Sequence, residues 1–315
     1  MLEIDGSEKS GSGTILRLTV ALATILGEDL HIYNIRKRRS QPGLRPGKIG
    51  GGRIEAKIGT AGSIPMLLLT ILPICAYAEK TVQVHVTKGG TDVRHAPTIN
   101  YLKQVLLPML ERMGLVSSLQ VHRYGYYPKG MGEVTLTVHP CHRLSPLRLD
   151  EFGKLNKLRG VSVCTFLKDR RVADRQANAA RKYFEASGLK ATIDVVYDES
   201  NPLQKGSSLV LWAETDKGAL LGGDAIGEIR KSSEAVGSEA AKNILKELEP
   251  KATVDVHLAD MLVPYVALAE GESVYLTRSL TEHLNTNIWF TQKILGTEFK
   301  IEKTESLYRI QSQGS

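Results

Sequence analysis

The chain has 315 residues, of which 42% are hydrophobic and 24% charged. That balance excludes a disordered chain and leaves enough apolar side chains for one large domain and a smaller one, each with its own core. Lysine and arginine (41) outnumber aspartate and glutamate (34), giving a formal net charge of +7 that suits a polyanionic partner such as RNA, DNA or a nucleotide.

Met1 runs into Leu2-Glu3-Ile4-Asp5, without the basic and apolar regions of a secretory signal. Cys75, Cys141 and Cys164 are too few and too far apart for a disulfide framework or a zinc site, so the expected location is the reducing cytoplasm. Residues 15–22 predict a helix and 30–35 a strand. A glycine- and proline-rich loop follows that carries Arg36, Lys37, Arg38, Arg39, Arg45, Lys48 and Arg53, either as a solvated turn or as a phosphate-facing surface. A strand is expected at 53–58. Residues 64–78 form the longest apolar stretch, but Pro65 and Pro73 interrupt it and it is short for a membrane span; it reads as a buried helix, with no membrane partner. A strand at 82–86, the turn Gly89-Gly90-Thr91-Asp92 and a helix over 97–113 lead to paired strands at 119–122 and 133–138.

Residues 158–215 read differently, as a strand, a helix over 173–187 and two strands separated by a turn at 198–202. An amphipathic helix spans 233–248. A helix from 259, a strand at 274–276, a helix over 282–295 and strands at 298–302 and 306–310 then repeat the order of parts seen in 66–138. The expected fold is therefore α+β. A large domain, residues 1–157 and 216–315, holds three repeated αβαββ-type units, and a small βαββ domain, residues 158–215, is inserted. The first unit is truncated: after its basic loop the chain passes straight to the 53–58 strand, so a helix and a strand of roughly 20–30 residues are absent.

Within residues 280–288, LTEHLNTNI, one histidine falls in the first turn of an apolar helix. Such a ring can cap or solvate the helix start, or it can point a nitrogen at phosphorus where the helix N-terminus favours negative charge.

Several tags then occur in one order: Gly11-Ser12-Gly13-Thr14-Ile15-Leu16-Arg17, Pro42-Gly43-Leu44, Thr60-Ala61-Gly62-Ser63, Gly89-Gly90-Thr91-Asp92, residues 125–134 (GYYPKGMGEV), His257-Leu258-Ala259-Asp260 and His283-Leu284. Together they resemble the RNA 3′-terminal phosphate cyclase family over nearly the whole chain. The resemblance implies ATP-dependent conversion of an RNA 3′-phosphate end to a 2′,3′-cyclic phosphate, through a covalent histidine–AMP intermediate on His283, with release of AMP and diphosphate. It implies nucleotide contacts from His257, Leu258, Ala259, Asp260, Met261 and Pro97. Phosphate or RNA contacts are implied for Arg17, Arg36, Arg39 and Ser63. ATP and a divalent metal, Mg²⁺ or Mn²⁺, are the implied cofactors, and RNA with a 3′-phosphate end is the implied partner. Where the family carries a metal-binding glutamate this chain has Ser10, which cannot supply a carboxylate's charge, so Glu8 is the candidate metal ligand. Leu69 and Met261 stand where the family has glutamines, and Met131 where it has glycine. The alternative is a catalytically weak or silent cyclase-like RNA-binding protein in RNA processing, a branch that lacks the histidine kept here. An enolpyruvyl transferase is an analogy of fold alone.

Overall fold

The computed structural model describes residues 2–5, 13–28, 30–33 and 51–314. The first strand, β1 (Leu2–Asp5), runs parallel to β2 (Leu30–Tyr33), with α1 (Gly13–Leu26) as the crossover between them. Next, β3 (Gly52–Lys57) pairs in parallel with β4 (Val82–Gly89) across the helix α2 (Ile64–Ala76). Ser63 caps α2 and Pro65 sits in its first turn, where a missing N–H costs nothing. The expected 97–113 helix forms as α3 (Ile99–Tyr101), a π-helical stretch Leu102–Leu106, and α4 (Leu107–Arg112). A hairpin of β5 (Ser117–Arg123) and β6 (Gly132–Val138) completes a four-stranded sheet of order β3-β4-β6-β5. The period-two pattern explains its inner face: Val82, Val84 and Val86 of β4 and Val134 and Val138 of β6 are all fully buried.

A short strand, β7 (Arg148–Leu149), precedes a second sheet made of β8 (Leu155–Thr165), β9 (Thr192–Asp198), β10 (Gly206–Thr215) and β11 (Leu220–Ile226), ordered β11-β10-β8-β9. Helices α5 (Val172–Ala186) and α6 (Ser233–Leu248) pack together against it. The sheet begun in the 158–215 segment is thus completed by β11 and covered by α6, both from residues beyond 215. The chain ends with α7 (Val256–Leu268), β12 (Glu272–Thr277), α8 (Glu282–Leu295), β13 (Glu298–Lys303) and β14 (Tyr308–Gln313). Their sheet, β13-β14-β12-β7, has the strand order and directions of β5-β6-β4-β3: two antiparallel pairs, then a parallel one. The architecture is mixed α+β.

One core joins both of these sheets through Leu68 and Leu72 of α2, Leu106, Leu110, and Leu262, Tyr265 and Val266 of α7. A separate core under α5 and α6 contains Phe184, Leu209, Leu211 and Ile244. A small third cluster, Ile4, Leu18 and Leu22 with Phe290 and Ile294, clamps α1 to α8. Each such side chain contributes roughly 1.5–3 kcal/mol on full burial, and the third cluster fixes which faces of α1 and α8 meet. Among the described residues no helix is long and apolar enough to cross a membrane.

Candidate functional site

Thr281 sets the start of α8. Its backbone is extended (φ −71°, ψ 159°) and its Oγ1 accepts from the Leu284 N–H at 2.9 Å, which satisfies one of the helix's orphan donors. The same hydroxyl donates to Asp260 Oδ1 on α7 at 2.6 Å. One turn further along α8, Asn287 Nδ2 donates to the Asp260 carbonyl at 2.8 Å. That carbonyl needs a donor from elsewhere because Pro264, four residues on, has no N–H to return to it. The proline in α7 therefore creates the docking point that α8 fills, and His283 lies between the two ties with its side chain exposed. Asn287 Oδ1, turned away from the carbonyl, is buried with no protein partner.

Asp255 does similar work at the start of α7. Its Oδ1 accepts from the N–H groups of His257 (2.9 Å) and Leu258 (3.0 Å), and its Oδ2 from Gly222 N–H (2.8 Å). The Tyr101 hydroxyl also donates to this carboxylate at 2.8 Å. A single buried side chain thus joins α3, β11 and the first turn of α7.

These ties enclose a cleft of about 730 Å³. Arg17, Leu18 and Ala21 of α1 form one wall, and Met66, Leu69 and Pro73 of α2 another. His257, Asp260 and Met261 come from α7, His283 and Asn287 from α8, and His95, Ala96 and Pro97 from the loop after β4. Met66, His257 and His283 all belong to first turns, so the N-termini of α2, α7 and α8 converge on the cleft. Their partial positive charges, with the Arg17 guanidinium, favour an anionic ligand.

The cleft's two carboxyls oppose such a ligand less than their number suggests. Burial pushes Asp260 up to about 7, against the Thr281 hydrogen bond and the nearby His257. Burial also raises Asp224, although the Thr98 N–H donates to its Oδ2 at 2.8 Å. Asp260 is therefore partly protonated near neutrality, which reduces its repulsion of phosphate, and burial shifts Asp224 in the same direction.

The structure brings together Arg17, Pro97, His257, Asp260, Met261 and His283. Leu258 and Ala259 face the other way and are fully buried in the protein interior, so they do not line the cleft. Ser63 is not on the cleft lining either; its Oγ accepts from Met66 N–H at 3.2 Å and serves as the α2 cap. Arg36, Arg39 and Glu8 lie outside the described residues. Leu69 and Met261 both line the cleft as apolar side chains. The sequence reading missed Asp224 of β11, Asn243 of α6, Tyr101 and Asn287. Asp224 had a signal in the preceding Gly222-Gly223: a Cβ on Gly222 would meet the Tyr101 ring and one on Gly223 would meet α6 at Ile244, so glycine marks a close approach there.

Among the described residues no group of three His, Cys, Asp or Glu side chains could hold a metal ion. The carboxyls of Asp224 and Asp260 are already engaged by protein donors. The candidate ligand Glu8 lies outside the described residues.

A family model described as RNA 3′-terminal phosphate cyclase matches residues 8–47 and 45–301. The protein named RNA 3′-terminal phosphate cyclase from Pyrobaculum aerophilum is 38% identical over 99% of this chain and 98% of its own. Those of the same name from Methanopyrus kandleri (37%; 97% and 96%) and Pyrococcus abyssi (38%; 96% and 95%) are similar to this chain along nearly their whole lengths. The Pyrobaculum alignment runs over 344 positions, whereas this chain has 315 residues.

Proposed function

The chain belongs to the RNA 3′-terminal phosphate cyclase family, and we propose that it converts an RNA 3′-phosphate end to a 2′,3′-cyclic phosphate at the expense of ATP, with His283 as the nucleophile. A neutral imidazole nitrogen attacks the α-phosphorus of ATP; a P–N bond forms and diphosphate leaves. An oxygen of the RNA 3′-phosphate then attacks that phosphorus, the P–N bond breaks, and AMP passes to the RNA. The vicinal 2′-hydroxyl attacks the RNA phosphorus and expels AMP. The observation that carries the reading is the exposure of His283 in a cleft it shares with Arg17 and three helix N-termini. In-line displacement at phosphorus needs positioning and charge neutralisation, and Arg17 is placed to supply both. Arg36 and Arg39 belong to the same proposal as further phosphate contacts, and Glu8 as a carboxylate for the ATP-borne metal.

The layout proposed with it is three copies of one unit, the first shortened, with residues 158–215 as the core of an insert. It is supported by the matching strand orders of the two like sheets, by the β1-α1-β2 crossover, and by an alignment longer than the chain. A cytoplasmic location fits three free cysteines.

Incubation with ATP radiolabelled at the α-phosphorus, with Mg²⁺ or Mn²⁺, is expected to leave an acid-labile label on the wild-type chain and none on His283→Ala. Absence of label on the wild type with either metal would move the assignment to an RNA-binding protein without nucleotidyl transfer. The apolar Leu69 and Met261 in the cleft are what favour that second reading.

A further inference from the structure

The loop between β5 and β6 is tightly held, yet it leaves one aromatic ring in water. A Cβ on Gly130 would lie 2.8 Å from the Thr60 carbonyl oxygen and one on Gly132 2.8 Å from that of Gly89, so the loop's glycines allow backbones to touch. Gly130 N–H donates to the Tyr126 carbonyl at 2.7 Å. From the opposite side Asn201, itself 1% exposed, donates to the carbonyls of Tyr124 (2.7 Å) and Gly130 (3.2 Å). Gln204 grips the tip, its Nε2 donating to the Tyr127 carbonyl at 2.9 Å and its Oε1 accepting from Lys129 N–H at 3.3 Å. In this frame the Tyr127 side chain is 78% exposed, and Leu203 beside the Gln204 clamp is 54% exposed. Phe166, 39% exposed, follows Thr165, whose backbone pairs with Gly206.

Beside Tyr127 the exposed charge is basic, whereas on the Phe166 side Asp198 and the exposed Glu199 are acidic. Lys129 and Lys205 are exposed, and neither residues 125–131 nor 201–207 contain an acidic side chain. The loop also leads to the cleft: Thr91 N–H donates to the Gly125 carbonyl at 2.8 Å, and the segment from Thr91 runs on to His95, Ala96 and Pro97 in the cleft wall.

We infer that Tyr127, flanked by Lys129 and Lys205, is a stacking platform for an unpaired base upstream of the RNA end that enters the cleft. A base stacks on an exposed aromatic face whatever its identity, and the ammonium groups meet the flanking phosphates. The loop backbone is already ordered, so binding has to fix only the ring's own rotamer. Single-stranded RNA is the occupant that the Tyr127 tip fits, because a nucleotide offers both a π-face for the ring and phosphates for Lys129 and Lys205, whereas a protein partner would need acidic groups opposite the two lysines. The inference rests on the proposed function for the identity of the RNA.

The test uses the full chain and fluorescently labelled oligouridylates ending in a 3′-phosphate, a dinucleotide and an octanucleotide. Tyr127→Ala is expected to weaken binding of the octanucleotide roughly 5- to 100-fold and to leave the dinucleotide unchanged, while Tyr127→Phe binds both as the wild type does. Lys129→Ala with Lys205→Ala should flatten the salt dependence of octanucleotide binding. Equal octanucleotide affinity in Tyr127→Ala and wild type overturns the inference. So does a change in self-association, measured by light scattering, in place of a change in RNA affinity. Self-labelling by ATP without RNA is read in the same variants. Label on every chain with no effect of Tyr127 removes the platform alone. RNA binding that depends on Tyr127, on a chain that takes no label, removes nucleotidyl transfer alone.

Discussion

At the scale of single residues, the carboxyls inside this protein give it a pH dependence of definite sign. Asp92 is 2% exposed, and burial pushes its carboxyl up to about 7 against hydrogen bonds from Thr91 Oγ1 (2.7 Å) and Ile99 N–H (3.3 Å). In the unfolded chain the group returns to about 3.9. The folded state therefore holds the proton more tightly, and its stabilising contribution is full below about pH 4 and lost as pH rises through about 7. Asp260, also raised to about 7, acts in the same direction. The thermal midpoint is expected to fall between about pH 5 and about pH 8, and Asp92→Asn to flatten part of that fall. A midpoint that climbs over this range, or an unchanged slope in Asp92→Asn, would contradict the assignment. The residue pattern gave no hint of this: Thr91-Asp92 reads as a turn in sequence, and only the fold buries it.

Among the elements, α8 matters most, and much of it was legible. The polar neighbours of His283 and the apolar stripe of the 282–295 helix place its start correctly, with His283 in the first turn; the Thr281 cap went unread. What was not legible is why α8 lies where it does. Pro264 reads in sequence only as a helix breaker, and Asn287 only as a polar residue in an apolar run; their relation through the Asp260 carbonyl exists only once α7 and α8 are packed. The same limit hid β11, whose Gly222-Gly223 lacks alternation, and it hid Asp224 and Asn243, which reach the cleft from elements distant in sequence. Asn287→Ala should leave the Asp260 carbonyl without its donor and cost about 1–3 kcal/mol in urea unfolding. Because it also loosens the tie one turn beyond His283, self-labelling by ATP should slow at saturating nucleotide more than nucleotide affinity falls. Thr281→Ala is expected to cost about 1–3 kcal/mol through the lost cap and the lost hydrogen bond to Asp260, and Thr281→Ser to restore it. Wild-type labelling in Asn287→Ala would show that the tie does not position the histidine.

Across the whole molecule, the cleft draws on the α1–α8 clamp, on both like sheets through α2 and α7, and on β11 of the β11-β10-β8-β9 sheet with its covering helix α6. Its geometry therefore depends on how firmly α6 is held to the rest. An ion pair spans that junction, buried at its carboxylate and about one-third exposed at its guanidinium. Glu247 near the end of α6 is 3% exposed, and its Oε1 accepts from Arg278 Nε (3.1 Å) and Nη2 (2.9 Å), just after β12. Its Oε2 is buried with no partner, and burial raises the carboxyl despite the guanidinium. Such a pair adds little net stability compared with an apolar substitute, but removing one partner strands a charge in the interior. Arg278→Ala is therefore expected to destabilise the protein by about 1–3 kcal/mol at neutral pH, with less loss at acid pH where Glu247 can take a proton. Adding Glu247→Leu to Arg278→Ala should recover most of that loss, since the desolvated carboxylate is then gone. Urea unfolding followed by tryptophan fluorescence and by circular dichroism measures both points. Were the double variant no more stable than Arg278→Ala, the cost would lie in lost packing of the arginine stem and not in the stranded charge.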